Sequence, residues 1–240
     1  TISRETNHQW YAFETTLGEE MYYEEGKAYT ATIGAADWTK AGIITEMKFT
    51  VKPTDDQSEF TLPFDNPDPA GAYNLTIDWG DNTSTSTYTG GNEIPNHTYT
   101  GQGPYQITIT TPVPVSEAQM PMWSFDEKVS APMLVSMDTP MLNTGSTGFY
   151  YSFYECINLT TIDQGLFANN TAVESFSDCF DGCSSLTAIP AGLFANNTAV
   201  ESFSGCFVDC ISLTDIPAGL FANNKAANNF ESCIVGCSSL

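Results

Sequence analysis

The most reactive side chains in this 240-residue sequence are seven cysteines, and they recur in two registers. One register holds Cys156, Cys183, Cys210 and Cys237. The other holds Cys179, Cys206 and Cys233, with Ser152 where it would begin. A catalytic thiolate needs a base beside it. The only histidines are His8 and His97, both far from the array in sequence, and every cysteine has a counterpart at an equivalent place. A structural zinc site needs four nitrogen or sulfur ligands, whereas one repeat offers two thiols and no histidine. Disulfides need closely spaced, properly aimed pairs, and an odd count at repeated positions fits them poorly. Both registers share an apolar stripe with phenylalanines, so free thiols packed as small hydrophobes are expected. Disulfides and a metal site are the alternatives.

Oxygen chemistry has fewer candidates. Asp78, Asp81 and Asn82 offer oxygens to Ca2+ as one reading. The other reading is a turn whose Asp and Asn side chains accept backbone N–H bonds, and the lack of a full ligand set with a bidentate Glu favours it. Glycoside hydrolysis needs two carboxylates converging in a cleft. The acids here are spread, and Asp178 and Asp181 read as solvated residues on a helix face. No catalytic residue is assigned, no cofactor is expected, and the chain is read as a non-enzyme.

The acids outnumber the bases 29 to 7, giving a net charge of −22. Such a field repels phosphate backbones and anionic bilayers, so nucleic acid and lipid surfaces are poor partners. The chain contains no apolar stretch long enough to span a bilayer, so this fragment is not expected to insert in a membrane. It begins at Thr1 and stops at Leu240, the first residue of a further repeat, which reads as a piece of a longer protein.

The elements that carry the cysteines repeat. Leu159, Leu186, Leu213 and Leu240 fall 27 residues apart. The intervening units read LTTIDQGLFANNTAVESFSDCFDGCSS, LTAIPAGLFANNTAVESFSGCFVDCIS and LTDIPAGLFANNKAANNFESCIVGCSS, and a looser unit starts at Leu134. Leu186–Ile189 suggests a short strand halted by Pro190. Phe203, Cys206, Phe207 and Cys210 sit at i, i+3, i+4 and i+7, the apolar stripe of a short helix. One unit is therefore expected to be strand, turn and helix, too small to bury a core alone and stable only when stacked. The phrase FxxCSSLTxIPxGLF resembles the BspA-like leucine-rich-repeat surface proteins of Bacteroides and related bacteria. The resemblance covers about residues 133–240. It implies an α/β solenoid of 27-residue repeats on a secreted or surface-exposed protein, with a role in recognition or adhesion.

Residues 45–112 read as short β-rich runs punctuated by turns at Gly80-Asp81-Asn82, Gly90-Gly91 and Gly101–Pro104, which suggests a sandwich. The series Ile77–Thr83, His97-Thr98-Tyr99 and Gly103–Ile109 resembles PKD-like domains, which are Ig-like sandwiches acting as extracellular spacers or contact modules. Trp79 is read as core rather than as a sugar-stacking platform. Residues 1–44 form a β-rich segment with a strand over Lys27–Ile33, and its Tyr22–Trp38 stretch resembles the closing strands of fimbrillin-like domains. Residues 113–132, with Met120, Met122 and Trp123, are a junction packing the sandwich against the repeats.

The fold class expected is thus mainly β, a sandwich over 45–112 followed by a repeat solenoid over 133–240. The function expected is non-catalytic binding of a host extracellular protein or glycan at the outer bacterial surface. In each repeat the position between the core Leu and Ile differs, as Thr161, Ala188 and Asp215, while its neighbours stay constant. These three are the candidate binding residues. A glycan-handling role, resting on the 4 Trp and 11 Tyr, and a structural stalk are the alternatives.

Overall fold

The computed structural model describes residues 2–6, 9–13, 45–65, 72–112, 119–126 and 129–240. The chain divides into two units, Thr1–Ile44 and Thr45–Leu240. In the first, β1 (Ile2–Thr6) and β2 (Gln9–Phe13) form an antiparallel hairpin with Ile2 opposite Phe13. The strand expected at Lys27–Ile33 lies outside the described residues.

The second unit is mainly β, with several sheets. In β3 (Thr45–Val51) the apolar residues Met47, Phe49 and Val51 are buried and alternate with polar Glu46, Lys48 and Thr50, the pattern of a strand with one wet face. It pairs antiparallel with β9 (Tyr105–Thr111). β6 (Leu75–Asp78) and β7 (Ser86–Tyr88) extend the sheet on one side. On the other side lie β11 (Leu134–Met137), antiparallel to β3, and β12 (Thr161–Ile162), parallel to β11. The order is β12-β11-β3-β9-β6-β7, so the sheet runs from the expected sandwich into the expected repeat region.

Two short pairs cover the apolar side of this sheet. β4 (Glu59–Thr61) pairs with β8 (Asn96–Thr98), and β5 (Phe64–Asp65) pairs with β10 (Met122–Trp123). β10 comes from the 113–132 junction, whose Met120, Trp123 and Phe125 are fully buried. Trp123 meets Phe49 edge-on, with ring centroids 5.3 Å apart. Such a contact adds about 0.5–1.5 kcal/mol to the burial itself.

Beyond β11 the 27-residue units lie one on another. Leu159, Leu186 and Leu213 are fully buried. Phe153, Phe180 and Phe207 stack in a column, with centroids 4.9 and 5.3 Å apart. Asn170, Asn197 and Asn224 form a buried ladder. Asn197 Nδ2 donates to the Phe167 and Asn170 carbonyls at 3.2 and 2.8 Å, and Asn224 Nδ2 repeats the pattern one unit on.

The helix expected in each unit does not form; the only helical element among the described residues is a short 3-10 turn at Ala131–Met133. Phe203, Cys206, Phe207 and Cys210 are all buried, as their spacing requires, but on a run of tight turns. The cause lies in the backbone hydrogen bonds. The N–H groups of Phe176, Asp178, Phe180 and Gly182 donate to the carbonyls of Ser202, Ser204, Cys206 and Val208 in the next unit. Those of Cys179, Asp181 and Cys183 close local turns onto Phe176, Asp178 and Phe180. An α-helix would consume all these donors internally. Asp178 (φ 54) and Gly182 (φ 76) are left-handed in one unit, Gly205 (φ 63) and Asp209 (φ 53) in the next. Single left-handed residues interrupt a right-handed helix. The strand expected at Leu186–Ile189 is also absent. Isolated parallel bridges instead link Gly148, Ser175, Ser202 and Asn229 in sequence.

Candidate functional site

The structure places the sequence-derived candidates in three groups. Asp78 ends β6, and Asp81 and Asn82 lie on the connection from it to β7. Asp78 Oδ1 accepts the Gly80 N–H at 2.9 Å, and Asp81 Oδ1 accepts the Thr83 N–H and hydroxyl at 3.1 and 2.6 Å. Asn82 takes φ 63, a conformation Asn tolerates well. These carboxylates therefore hold the turn. The other Asp81 oxygen lies 2.7 Å from His97 Nε2, and His97 stacks on Trp79 with the rings 16° from parallel. Burial pushes the Asp81 carboxyl up, but the bonds from Thr83 and His97 outweigh it and hold the group below the usual carboxylate range. Trp79 is buried, and its carbonyl accepts the Tyr99 hydroxyl at 2.9 Å. The Asp81–His97 pair was not anticipated, since the two residues stand 16 positions apart.

The second group is the strand-side row. Thr161, Ala188 and Asp215 are all exposed and sit at equivalent places in successive units. Thr161 lies opposite Ser136, and Ser136 opposite Thr50, so the row adjoins the wet face of the six-stranded sheet. Asp138 knits that face together: its carboxylate accepts bonds from the Thr50 and Ser136 hydroxyls and the Gln106 amide.

The third group is the turn corner. Asp178 and Asp181 were expected on a helix face; both are half-buried turn residues. Burial and then the neighbouring Asp178, Asp209 and Glu155 carboxylates push Asp181 up to about 6. Three tyrosines of the first unit join them. Tyr150 and Tyr151 are 46% and 37% exposed, and Tyr151 meets Tyr154 edge-on at 5.5 Å. Sequence reasoning passed over this patch. Its signal was available: the looser first unit carries Tyr151 and Tyr154 where the next has Asp178 and Asp181.

The thiols are packed within the stack. All seven are free, and all but the half-buried Cys237 are buried. The Cys183, Cys210 and Cys237 thiols donate to the carbonyls of Phe153, Phe180 and Phe207 at 3.1, 3.2 and 3.1 Å. Burial drives the thiol of Cys183 far above the ordinary range, which leaves almost no nucleophilic thiolate.

The first two full units locate where change is tolerated or used. Residues 165–177 recur unchanged as 192–204, and the differences fall only within 161–164 and 178–184. Those stretches are the strand-side row and the turn corner. The chain matches no protein-family model, no curated protein and no solved structure. No helix among the described residues is long and apolar enough to cross a membrane.

Proposed function

We propose that this chain is a non-catalytic binding module of a secreted or surface-exposed bacterial protein, with a PKD-like, Ig-like sandwich leading into a BspA-like leucine-rich-repeat solenoid. The observation that carries this reading is the row of Thr161, Ala188 and Asp215. These residues are exposed, equivalent and chemically different, whereas the positions packed inside the stack are nearly constant. A surface that reads a partner needs variable side chains on a rigid frame, and a stacked array supplies both.

The row adjoins the sheet face around Asp138, and the binding surface is this strand-side face together with loops of the PKD-like domain. Affinity is a sum of contacts worth about 1 kcal/mol or less each. The chain's net charge of −22 favours basic partners and speeds their approach at low salt. For glycans, Trp79 and Trp123 are buried, so among the described residues stacking would fall to the exposed tyrosines. A screen of the chain against host extracellular proteins and a glycan array tests the reading. Protein ligands favour the adhesion reading, glycan ligands favour the carbohydrate alternative, and no binding at high micromolar concentration leaves a stalk.

A further inference from the structure

A second surface, separate from the strand-side row, is set by exposed aromatic rings beside unneutralised acids. Tyr150 and Tyr151 present 46% and 37% of their surface to solvent, although each later unit fills the Tyr151 place with Asp178, Gly205 or Ser232. Tyr151 also takes φ 54, a conformation that disfavours a bulky residue. Packing does not call for an aromatic there. Tyr151 feels the charges of Asp178, Asp126 and Asp181, and Tyr154 those of Glu155, Asp181 and Asp126. No described residue forms an ion pair with any of these four acids.

Part of the acid pattern is explained by packing. A Cβ on Gly205 would lie 2.0 Å from Asp178 Oδ1, and one on Gly236 would lie 1.9 Å from Asp209 Oδ1. An acid at a left-handed place in one unit thus lies over a Gly in the next, whose missing side chain leaves room for the carboxylate. That rule covers Asp178 and Asp209. It does not cover Asp181, whose counterpart is Val208, or the tyrosines. These are the residues left without a structural reason.

We propose that this corner docks an arginine-bearing segment of a partner protein, its guanidinium lying on the Tyr151 ring and paired with the Asp178 and Asp181 carboxylates. Arginine fits on three counts. Its flat cation stacks on an aromatic face. Its forked donors match carboxylates. Its charge offsets a cluster that otherwise repels itself. The Phe125 N–H donates to the Tyr151 carbonyl at 3.0 Å, so the corner borders the buried junction strand and its backbone is held in place before binding. This assignment is independent of the strand-side row, and either can fail alone.

The test is calorimetric titration of the whole chain with tetra-arginine amide at 0.15 M salt, with tetra-citrulline as the uncharged control. Tyr151→Ser installs the residue that Ser232 already carries in the same conformation, and Asp181→Asn removes one charge with little change of shape. Each is expected to weaken binding by about two- to five-fold, the worth of one exposed cation–aromatic or ionic contact. Glu93→Gln loses the same charge at an exposed place on the β7–β8 connection and is expected to leave the affinity unchanged. Equal weakening by Glu93→Gln would reduce the effect to the general acidic field and overturn the site. So would unchanged affinity in both corner variants, tetra-citrulline binding as well as tetra-arginine, or no binding at millimolar peptide.

Discussion

The Asp178 carboxylate occupies the space where Gly205, one unit further on, would carry its side chain: a Cβ there would lie 2.0 Å from Oδ1. Both residues are left-handed, at φ 54 and 63. Replacing Gly205 with Ala therefore meets two costs, the left-handed backbone at about 1–2 kcal/mol and the clash. Gly205→Ala is expected to lower unfolding free energy by about 2–4 kcal/mol in urea titrations. Adding Asp178→Gly should recover the clash but not the backbone cost. A double-mutant cycle with no coupling between the two sites would contradict this.

The asparagine ladder gives the second expectation. Asn197 is fully buried and satisfies two carbonyls of the preceding unit. Each buried carbonyl left bare costs about 1–3 kcal/mol. Asn197→Ala is expected to destabilise by about 2–4 kcal/mol, whereas Thr198→Ala, at an exposed neighbour, should change stability by less than about 0.5 kcal/mol. Equal losses at the two positions would refute the ladder's role.

Thiol reactivity follows burial. Burial raises the Cys233 thiol to about 11, and the half-buried Cys237 is raised as well. Timed alkylation of the native protein near neutral pH, read by mass spectrometry, should label Cys237 first and Cys156, Cys179, Cys183 and Cys206 last. Denaturation should expose all seven at once. Rapid native labelling of Cys183 would show that the column is open.

Asp181 sets a pH dependence. Its folded pKa, about 6, lies above the ordinary 3.8, so between these values the folded state holds more proton than the unfolded one. Stability should therefore fall as pH rises through this window. Asp181→Asn abolishes that contribution. The variant is expected to gain on the native chain as pH rises from 4 to 7, in melts taken across the range. A stability difference that stays flat over that window would contradict the burial and repulsion assigned to Asp181.

Much of this was legible in the sequence, for reasons that differ by element. The 27-residue identities exposed the stack because packing allows little variation at Leu186 or Phe207. The alternation in β3 and β9 read as strands because one face is wet. The stripe Phe203, Cys206, Phe207, Cys210 read as helix because tight turns and a helix bury the same spacing. The separating sign lay in the Asp and Gly exchanges at Asp178/Gly205 and Gly182/Asp209, which demand left-handed backbone. β7, β8 and β10 are too short and polar for periodicity to register, and the Met120–Phe125 run read as a junction although Trp123 completes a sheet. The corner patch was missed because Asp178 and Asp181 were placed on a solvated helix, away from the tyrosines that the turns bring beside them.

Binding along the strand-side row is tested most directly by one comparison of affinities. A ligand recovered from the screen is titrated against the native chain, Asp215→Lys and Thr198→Lys. Both substitutions add a lysine at an exposed place, and the Thr198 position already carries Lys225 in the next unit. Only Asp215 lies on the row. Asp215→Lys is expected to weaken the complex by about five-fold, the worth of one contact of about 1 kcal/mol, while Thr198→Lys leaves it unchanged. Unchanged affinity with Asp215→Lys, or an equal loss with Thr198→Lys, would contradict recognition through that row.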